Sequence, residues 1–222
     1  MIRVTMAQAI GSRDEQEDAA HTMAFHDGVI AVLADGMGGH HLGAEAAQAA
    51  VDAVLDFVRR RRWPHDSAKA VVLLNGAVDA ACRKVRVLGG GSKAPGCTLL
   101  VALVRPGQVA LVSVGDSRVW WSHALEDEPR RLVQRHGFNN VVLSHIPART
   151  KTDFVLLEHV DDGRLVLASD GIAKPLGDTA VGMVQNQLAL NERRQDNATA
   201  IVIDIRPGDG VHIGELVMLP VW

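Results

Sequence analysis

Residues 98–114 read TLLVALVRPGQVALVSV, two apolar runs separated by a short segment that contains Pro106 and Gly107. Each run is rich in β-branched residues and has the length of a buried strand. Proline and glycine between such runs are typical of a tight turn. The stretch therefore predicts an antiparallel hairpin with strands at 98–104 and 108–114.

Similar apolar runs predict further strands at 2–9, 29–34, 164–169 and 198–205. Three helices are predicted as well. Residues 43–62 carry an apolar stripe, a second helix begins at Asp66 or Ser67 as its N-cap and ends near Val87, and a weaker one covers about 178–191. Helices before and after a run of consecutive strands favour an α+β fold with antiparallel sheets.

The composition fits one domain, predicted to span residues 1–222, and it disfavours several classes of partner. The net charge is −3, so no basic field indicates nucleic acid or an anionic membrane. No apolar run is long enough to cross a bilayer, and the first residues lack the apolar core of a signal peptide. We therefore expect a cytoplasmic protein without nucleic-acid or membrane partners.

Acidic residues recur beside the ends of the predicted strands. They are Asp35, Asp116, Asp170 and Asp196, and Glu17 and Asp18 lie in a polar segment after the first predicted strand. Because a sheet brings strand ends together, we expect these carboxylates to converge, and converging like charges must be protonated or share a cation. Oxygen ligands select Mg²⁺ or Mn²⁺, and the sequence has no Cys/His spacing typical of zinc.

The loop at residues 34–45, ADGMGGHHLGAE, was compared with two phosphate-binding motifs. The dinucleotide fingerprint requires a third glycine where this sequence has His41, and a P-loop requires Gly-Lys-Ser/Thr, which is absent. The acid at position 35 would also repel a phosphate. The pattern favours a cation between Asp35 and the phosphate.

Six short motifs occur in order along the chain. They are RDEQEDA (13–19), ADGMGGH (34–40), GCT (96–98), VGDSR (114–118), ASDG (168–171) and DNAT (196–199). Together they resemble the PPM family, the metal-dependent serine/threonine protein phosphatases of type 2C, in its bacterial form. The resemblance implies two packed antiparallel β-sheets flanked by helices, a four-layer α-β-β-α sandwich, here with a shortened flap region between 122 and 162.

The resemblance also implies a metal site with two Mn²⁺ or Mg²⁺ ions and a possible third. Asp35 resembles the carboxylate that bridges the two metals, and Gly36 the residue that offers its backbone carbonyl. The other ligands divide between the sites: Asp170 and Asp196 for the first metal, Glu17 and Asp18 for the second, and Asp116 with Asp170 for the third.

Two further residues complete the predicted chemistry. Arg13 resembles the phosphate-binding arginine, whose fork matches two phosphate oxygens. A hydroxide that bridges the metals would attack phosphorus in line, and His40 is the candidate acid for the leaving alkoxide.

The leading hypothesis is therefore a monomeric phosphatase of phosphoserine and phosphothreonine in proteins, which opposes a bacterial Ser/Thr kinase. Two alternatives stay open. The short segment between 122 and 162 also suits a catalytically weak family member that binds phosphoproteins or a partner. An open cleft would equally accept small phosphate esters.

Overall fold

The structure is a computed structural model, and it describes residues 1–25, 27–37, 41–88, 95–123, 128–133, 137–138, 141–142, 144–149, 151–190 and 195–219. The elements in chain order are β1 (Ile2–Ala9), β2 (Asp18–Phe25), β3 (Gly28–Met37), α1 (His41–Arg59), α2 (Ser67–Arg86), β4 (Gly96–Cys97), β5 (Leu99–Arg105), β6 (Gly107–Val114), β7 (Arg118–Ser122), β8 (Arg130–Arg131), β9 (Gly137–Phe138), β10 (Val141–Val142), β11 (Asp153–Val160), β12 (Gly163–Ala168), α3 (Ala180–Leu188), β13 (Ala198–Ile205) and β14 (Val211–Leu219).

The long strands form two sheets. One has the order β14-β1-β13-β12-β7-β8, and the other has the order β11-β6-β5-β3-β2, with β4 also paired to β3. Neighbouring strands are antiparallel except β1 and β14, which run parallel. The predicted antiparallel sheets are therefore confirmed, with one parallel pair at an edge.

Alternation along β3 shows how the layers are stacked. Val29, Ala31 and Leu33 face the other sheet and pack in the core between the two sheets. Ile30, Val32 and Ala34 point the opposite way and pack against α1 and α2. Because α3 covers the outer face of the other sheet, the layers are helix, sheet, sheet, helix, as predicted.

The hairpin at 98–114 is confirmed. Strands β5 and β6 pair along their whole length and close at Arg105 opposite Gln108. Gly107, in the turn, has φ +81°, a conformation that glycine adopts without strain.

The predicted helices are found with ends shifted by a few residues, and α1 begins at His41, before the predicted Gly43. Helix α1 ends at Arg59, before the predicted Arg62. Helix α2 begins after Asp66, whose carboxylate accepts a hydrogen bond from the Lys69 amide at 2.9 Å, so the predicted N-cap is confirmed. No helix among the described residues is both long and apolar enough to cross a membrane.

Strands β2, β11 and β14 were not predicted. In β2 the buried and exposed residues follow no strict alternation, and in β11 and β14 few residues are buried, because these strands lie at sheet edges. The prediction of a polar segment around Glu17 and Asp18 was wrong in one respect, since Asp18 is the first residue of β2.

Candidate metal-binding active site

The site is built around two aspartates on neighbouring strands. Asp18 begins β2 and Asp35 lies near the end of β3, and the antiparallel register places the two residues directly opposite each other. Residues paired in this way point to the same face of the sheet, with their Cβ atoms roughly 5 Å apart. Two carboxyl groups are therefore held side by side at one end of these strands.

Asp18 is buried, and only one of its two carboxylate oxygens has a hydrogen bond among the described residues. Its Oδ2 accepts a hydrogen bond from the Thr199 hydroxyl at 2.6 Å, while its Oδ1 is buried without a hydrogen-bond partner among the described residues. Burial raises the pKa of Asp18 to about 7, with smaller lowering contributions from the hydroxyls of Thr199 and Ser169 and raising ones from Asp170 and Asp196. A buried carboxyl with an unused oxygen is well suited to bind a cation.

Asp35 is fixed through its backbone. Its amide donates to Thr98 Oγ1 at 3.0 Å, and its carbonyl accepts from the Thr98 amide at 2.8 Å. The Thr98 hydroxyl in turn lies 2.7 Å from the Ser117 hydroxyl. These contacts join the end of β3 to the loop after β6, which carries Asp116.

The charge environment of Asp35 shows which acids converge. Burial is the largest cause that raises the pKa of Asp35 well above its ordinary value, followed by repulsion from four carboxylates: Asp18, Asp170, Asp196 and Asp116. Five of the six predicted acidic ligands therefore act on one another in this structure. Asp116 is itself buried.

Asp170 and Asp196 come from the facing sheet. Asp170 follows β12 and Asp196 precedes β13, and because β12 and β13 are antiparallel neighbours, these two ends meet. Gly171 permits this approach, since a Cβ there would lie 2.0 Å from the Asn197 carbonyl oxygen. Both aspartates line a cavity of about 240 Å³ that Arg118 also borders.

Arg13 lies at the rim of the same site. Its Nη2 is 2.7 Å from Asp196 Oδ2, and its side chain is about half exposed. Burial alone would lower the pKa of Arg13, but attraction from Asp196, Glu17 and Asp170 raises it. The predicted phosphate-binding arginine is thus placed among the predicted metal ligands, where it pairs with one of them.

Asn197 holds the segment that carries Arg13 and Glu17. Its side-chain amide donates to the carbonyl oxygens of Ile10 at 2.9 Å and Glu15 at 3.0 Å, and its Oδ1 accepts from the Glu17 amide at 2.8 Å. This buried side chain therefore fixes the loop between β1 and β2 over the clustered acids.

Glu17 is packed against the first turn of α1. The Glu17 carbonyl oxygen accepts a hydrogen bond from the Gly36 amide at 3.1 Å. A Cβ on Gly36 would lie 2.4 Å from the Gly43 carbonyl oxygen, and one on Gly43 would lie 2.5 Å from Glu17 Oε1. The positive end of the α1 dipole favours a carboxylate in this place.

Sequence reasoning missed the residues that support these acids. Gln8 Nε2 donates to Thr199 Oγ1 at 3.1 Å, and because this oxygen accepts the amide hydrogen, its own hydrogen is directed to Asp18. Thr98 and Asn197 have the positioning roles described above. Thr98, Asn197 and Thr199 lie within the quoted motifs, and the signal for Gln8 is a polar residue inside the apolar run 2–9.

The predicted acid His40 and the predicted set of metal ligands are not tested by this geometry. His40 lies outside the described residues. In the part of the chain that the structure describes, no group of three or more Asp, Glu, His or Cys side chains lies close enough together to hold a metal ion. An ion here would therefore need oxygens from water or backbone as well, as Mg²⁺ and Mn²⁺ commonly do.

Comparisons with known proteins identify the family. The family model of protein phosphatase 2C matches residues 7–201. No curated protein sequence matches the chain.

Several solved structures share the fold. A serine/threonine phosphatase from Staphylococcus aureus is 22% identical, with a TM-score of 0.78 over 93% of this chain and 96% of that one. The S. agalactiae serine/threonine phosphatase is 19% identical, with a TM-score of 0.74 over 93% of this chain and 100% of that one. The catalytic domain of the phosphatase PstP, solved with two manganese ions, is 21% identical, with a TM-score of 0.72 over 92% of this chain and 98% of that one.

At these identities the solved structures establish the fold, and the family model, which covers most of the chain, establishes the family. The chain belongs to the protein phosphatase 2C family of metal-dependent serine/threonine protein phosphatases.

Proposed function

We propose that this protein removes phosphate from phosphoserine and phosphothreonine in proteins, as one catalytic unit in the cytoplasm that opposes a Ser/Thr kinase. The observation that carries the proposal is the paired Asp18 and Asp35, whose pKa values are both raised and which Asp170 and Asp196 approach from the facing sheet. This arrangement is unfavourable for ionised acids alone and favourable around divalent cations.

The chain's own oxygen atoms would hold the metal ions. Asp35 and the Gly36 carbonyl would bind together with Asp170 and Asp196 from the facing sheet and with Glu17 and Asp18 at the start of β2, beside Asp35. Asp116 would complete a third site with Asp170. When bound, Mn²⁺ or Mg²⁺ lowers the pKa of a water to supply the nucleophile and neutralises the phosphoryl oxygens.

Arg13 would bind and orient the phosphoryl group. Its guanidinium already lies 2.7 Å from Asp196 Oδ2 at the exposed rim of the site. A phosphoryl group can replace or share this partner because both are anionic oxygen acceptors. Asn197 contributes indirectly, since it fixes the loop that carries Arg13.

The leaving alkoxide needs a proton, and His40 is the proposed donor on sequence grounds. Its role is tested by the leaving group. Replacing His40 with Gln should slow hydrolysis of a phosphothreonine peptide more than that of p-nitrophenyl phosphate, because p-nitrophenolate leaves without protonation. Equal losses on both substrates would contradict a general-acid role.

The function is tested by assaying both substrates with Mn²⁺, with Mg²⁺ and with EDTA. We expect turnover of the phosphothreonine peptide that requires metal and is abolished by EDTA. Turnover of p-nitrophenyl phosphate alone would instead indicate a hydrolase of small esters. Metal binding with no turnover of either substrate would indicate a module that binds phosphoproteins.

A further inference from the structure

A second polar cavity lies at the opposite end of strands β2 and β3 from Asp18 and Asp35. It has a volume of about 480 Å³ and is lined by Asp27, Arg62, Trp63, His65 and Arg105. These residues belong to the β2–β3 turn, the linker between α1 and α2, and the end of β5. From Gly28 to Asp35 strand β3 spans roughly 23 Å, so the cavity is remote from the metal-binding acids.

Arg105 is a largely buried cation with incomplete partners. Only 13% of its side chain is exposed, and the nearest carboxylate oxygen, Asp27 Oδ2, is 3.9 Å from its Nε. Its Nη2 lies 2.5 Å from His65 Nδ1. Its Nε and Nη1 are buried and have no hydrogen-bond acceptor among the described residues. Donors buried in this way cost folding free energy unless an acceptor is supplied.

Trp63 adds a third donor in the same condition. Its ring stacks on Phe25 with centroids 5.5 Å apart, and the guanidinium carbon of Arg105 lies 6.0 Å from it. The indole is buried, and its Nε1 has no acceptor among the described residues. The wall of the cavity is therefore held by aromatic packing and is rich in donors.

The charges favour an anion. Arg62 is exposed at the rim and adds a second guanidinium, while Asp27 is the one carboxylate among the lining residues and is more than half exposed. Donors and positive charge thus exceed acceptors and negative charge. A tetrahedral oxyanion, with several strong acceptors around one centre, suits two guanidinium groups better than a single carboxylate does.

We propose that this cavity is a second, non-catalytic site for a phosphate-type oxyanion, which is held by Arg62 and Arg105 beside the Trp63 ring. The unpaired Nε and Nη1 of Arg105 are shielded from the cavity. Rotation of the Arg105 side chain would therefore be needed to turn these donors to the anion. The anion is either inorganic phosphate or the phosphoryl group of a phosphorylated protein segment. The proposal does not depend on the catalytic one, since it concerns different residues and is read out by binding.

The test follows the Trp63 indole by ¹H–¹⁵N NMR with the full chain in EDTA, which suppresses turnover. The Trp63→Phe variant identifies its signal among those of the four tryptophans. Sodium phosphate, a phosphothreonine peptide, the same peptide without phosphate, and sodium chloride are titrated at constant ionic strength. We expect a saturable shift of the Trp63 signal with phosphate or the phosphopeptide, and none with the unmodified peptide or chloride.

Variants decide whether the lining arginines carry the binding. Arg62→Ala, at an exposed position that should not affect folding, is expected to weaken binding roughly tenfold, and Arg105→Met more strongly. Arg60→Ala, which removes the same charge from a residue outside the cavity, should bind as the wild type does, and so should Arg13→Ala.

The outcomes distinguish free phosphate from a phosphorylated segment as the bound anion, and they show when the proposal fails. Tighter binding of the phosphopeptide than of free phosphate identifies a docking site for a phosphorylated segment. Binding of phosphate alone identifies a site for the free ion. The proposal is overturned if the Trp63 signal does not shift saturably, or if Arg62→Ala and Arg105→Met both bind like the wild type.

Discussion

One sheet carries two polar sites of opposite character, one at each end of strands β2 and β3. We call the site at Asp18 and Asp35 the acidic edge and the site at Arg105 and Trp63 the basic edge. At one edge, Asp18 and Asp35 lie side by side on β2 and β3, and the carboxylates of the facing sheet add to their charge. At the other edge, the ends of β2 and β5 meet the α1–α2 linker around Arg105 and Trp63. The same apolar strands connect the two.

The difference lies in which partner is missing. At the acidic edge acceptors exceed donors, and Asp18 Oδ1 has no hydrogen-bond partner among the described residues. Burial first, and then repulsion from neighbouring carboxylates, raises the pKa values of Asp18 and Asp35. At the basic edge donors exceed acceptors, and among the described residues Arg105 Nε, Arg105 Nη1 and Trp63 Nε1 have no acceptor. Each edge therefore fits a ligand of the opposite charge: a metal cation at the first and an oxyanion at the second.

The strongest way to break this comparison is to neutralise the centre of the acidic edge. Asp35→Asn should lower metal-dependent turnover at least ~10³-fold, because an amide is a poor bridging ligand for two cations. The fold should be retained, since the change removes a repelled charge from among Asp18, Asp170 and Asp196. Turnover and the melting curve by circular dichroism check both expectations. Asp52→Asn, on the exposed face of α1, is the matched control and should leave turnover unchanged.

Arg13 tests whether the rim of the acidic edge binds substrate. Arg13→Ala should lower kcat/KM for a phosphothreonine peptide by roughly 10–100-fold, and Arg13→Lys should recover only part of it, since lysine lacks the planar fork. Stability should change by less than about 0.5 kcal/mol, because the ion pair with Asp196 is exposed. Unchanged kcat/KM in both variants would leave Arg13 as a surface ion pair.

Thr199 tests the support behind Asp18. Thr199→Val keeps the shape of the side chain but removes the hydroxyl that donates to Asp18 Oδ2 at 2.6 Å. We expect Mn²⁺ affinity to fall about tenfold, as is typical when a residue that orients a metal ligand is lost. Thr199→Ser keeps the hydroxyl and should bind nearly as the wild type does. Calorimetric titration compares the three proteins, and equal affinities would show that the hydroxyl is not needed.

The smallest expected effect is on stability and follows from the pKa of Asp18. Between its ordinary value of 3.8 and about 7 in the fold, the folded protein keeps a proton that the unfolded chain releases. The free energy of unfolding without metal should therefore fall as the pH rises from about 4 to 7 and stay low above it.

Asp18→Asn should remove this loss and stabilise the metal-free protein at pH 8 by on the order of 1–2 kcal/mol, with little difference from the wild type near pH 4. Urea unfolding in EDTA at the two pH values measures this. A variant that is less stable than the wild type at pH 8 would show that the ionised carboxylate is not strained by burial.

Sequence patterns predicted the interior of the fold well and its edges poorly. Strands β3, β5, β6 and β13 are buried on both faces, so their apolar runs are continuous and easily recognised. Strand β14 pairs on one side with β1 and exposes most of its residues. Only its last four residues, LVML, form an apolar run, because tertiary position, more than local pattern, makes it a strand.

The acidic residues of the site were predicted because aspartates at strand ends are visible in the sequence. Their supports were not, since Gln8 and Asn197 act through contacts with residues far away in the chain. The basic edge was also invisible beforehand. Arg62 and Trp63 follow α1, and Arg105 lies in the hairpin turn predicted at 105–107, so only the folded sheet brings them together.

The central claim is that the acidic edge binds divalent metal through Asp35. It is tested most directly by titrating Mn²⁺ into the metal-free wild type, Asp35→Asn and Asp52→Asn, with calorimetry to give affinity and stoichiometry. We predict that the wild type and Asp52→Asn bind two ions with the same affinities, whereas Asp35→Asn loses high-affinity binding. Equal Mn²⁺ binding by all three proteins would contradict the claim.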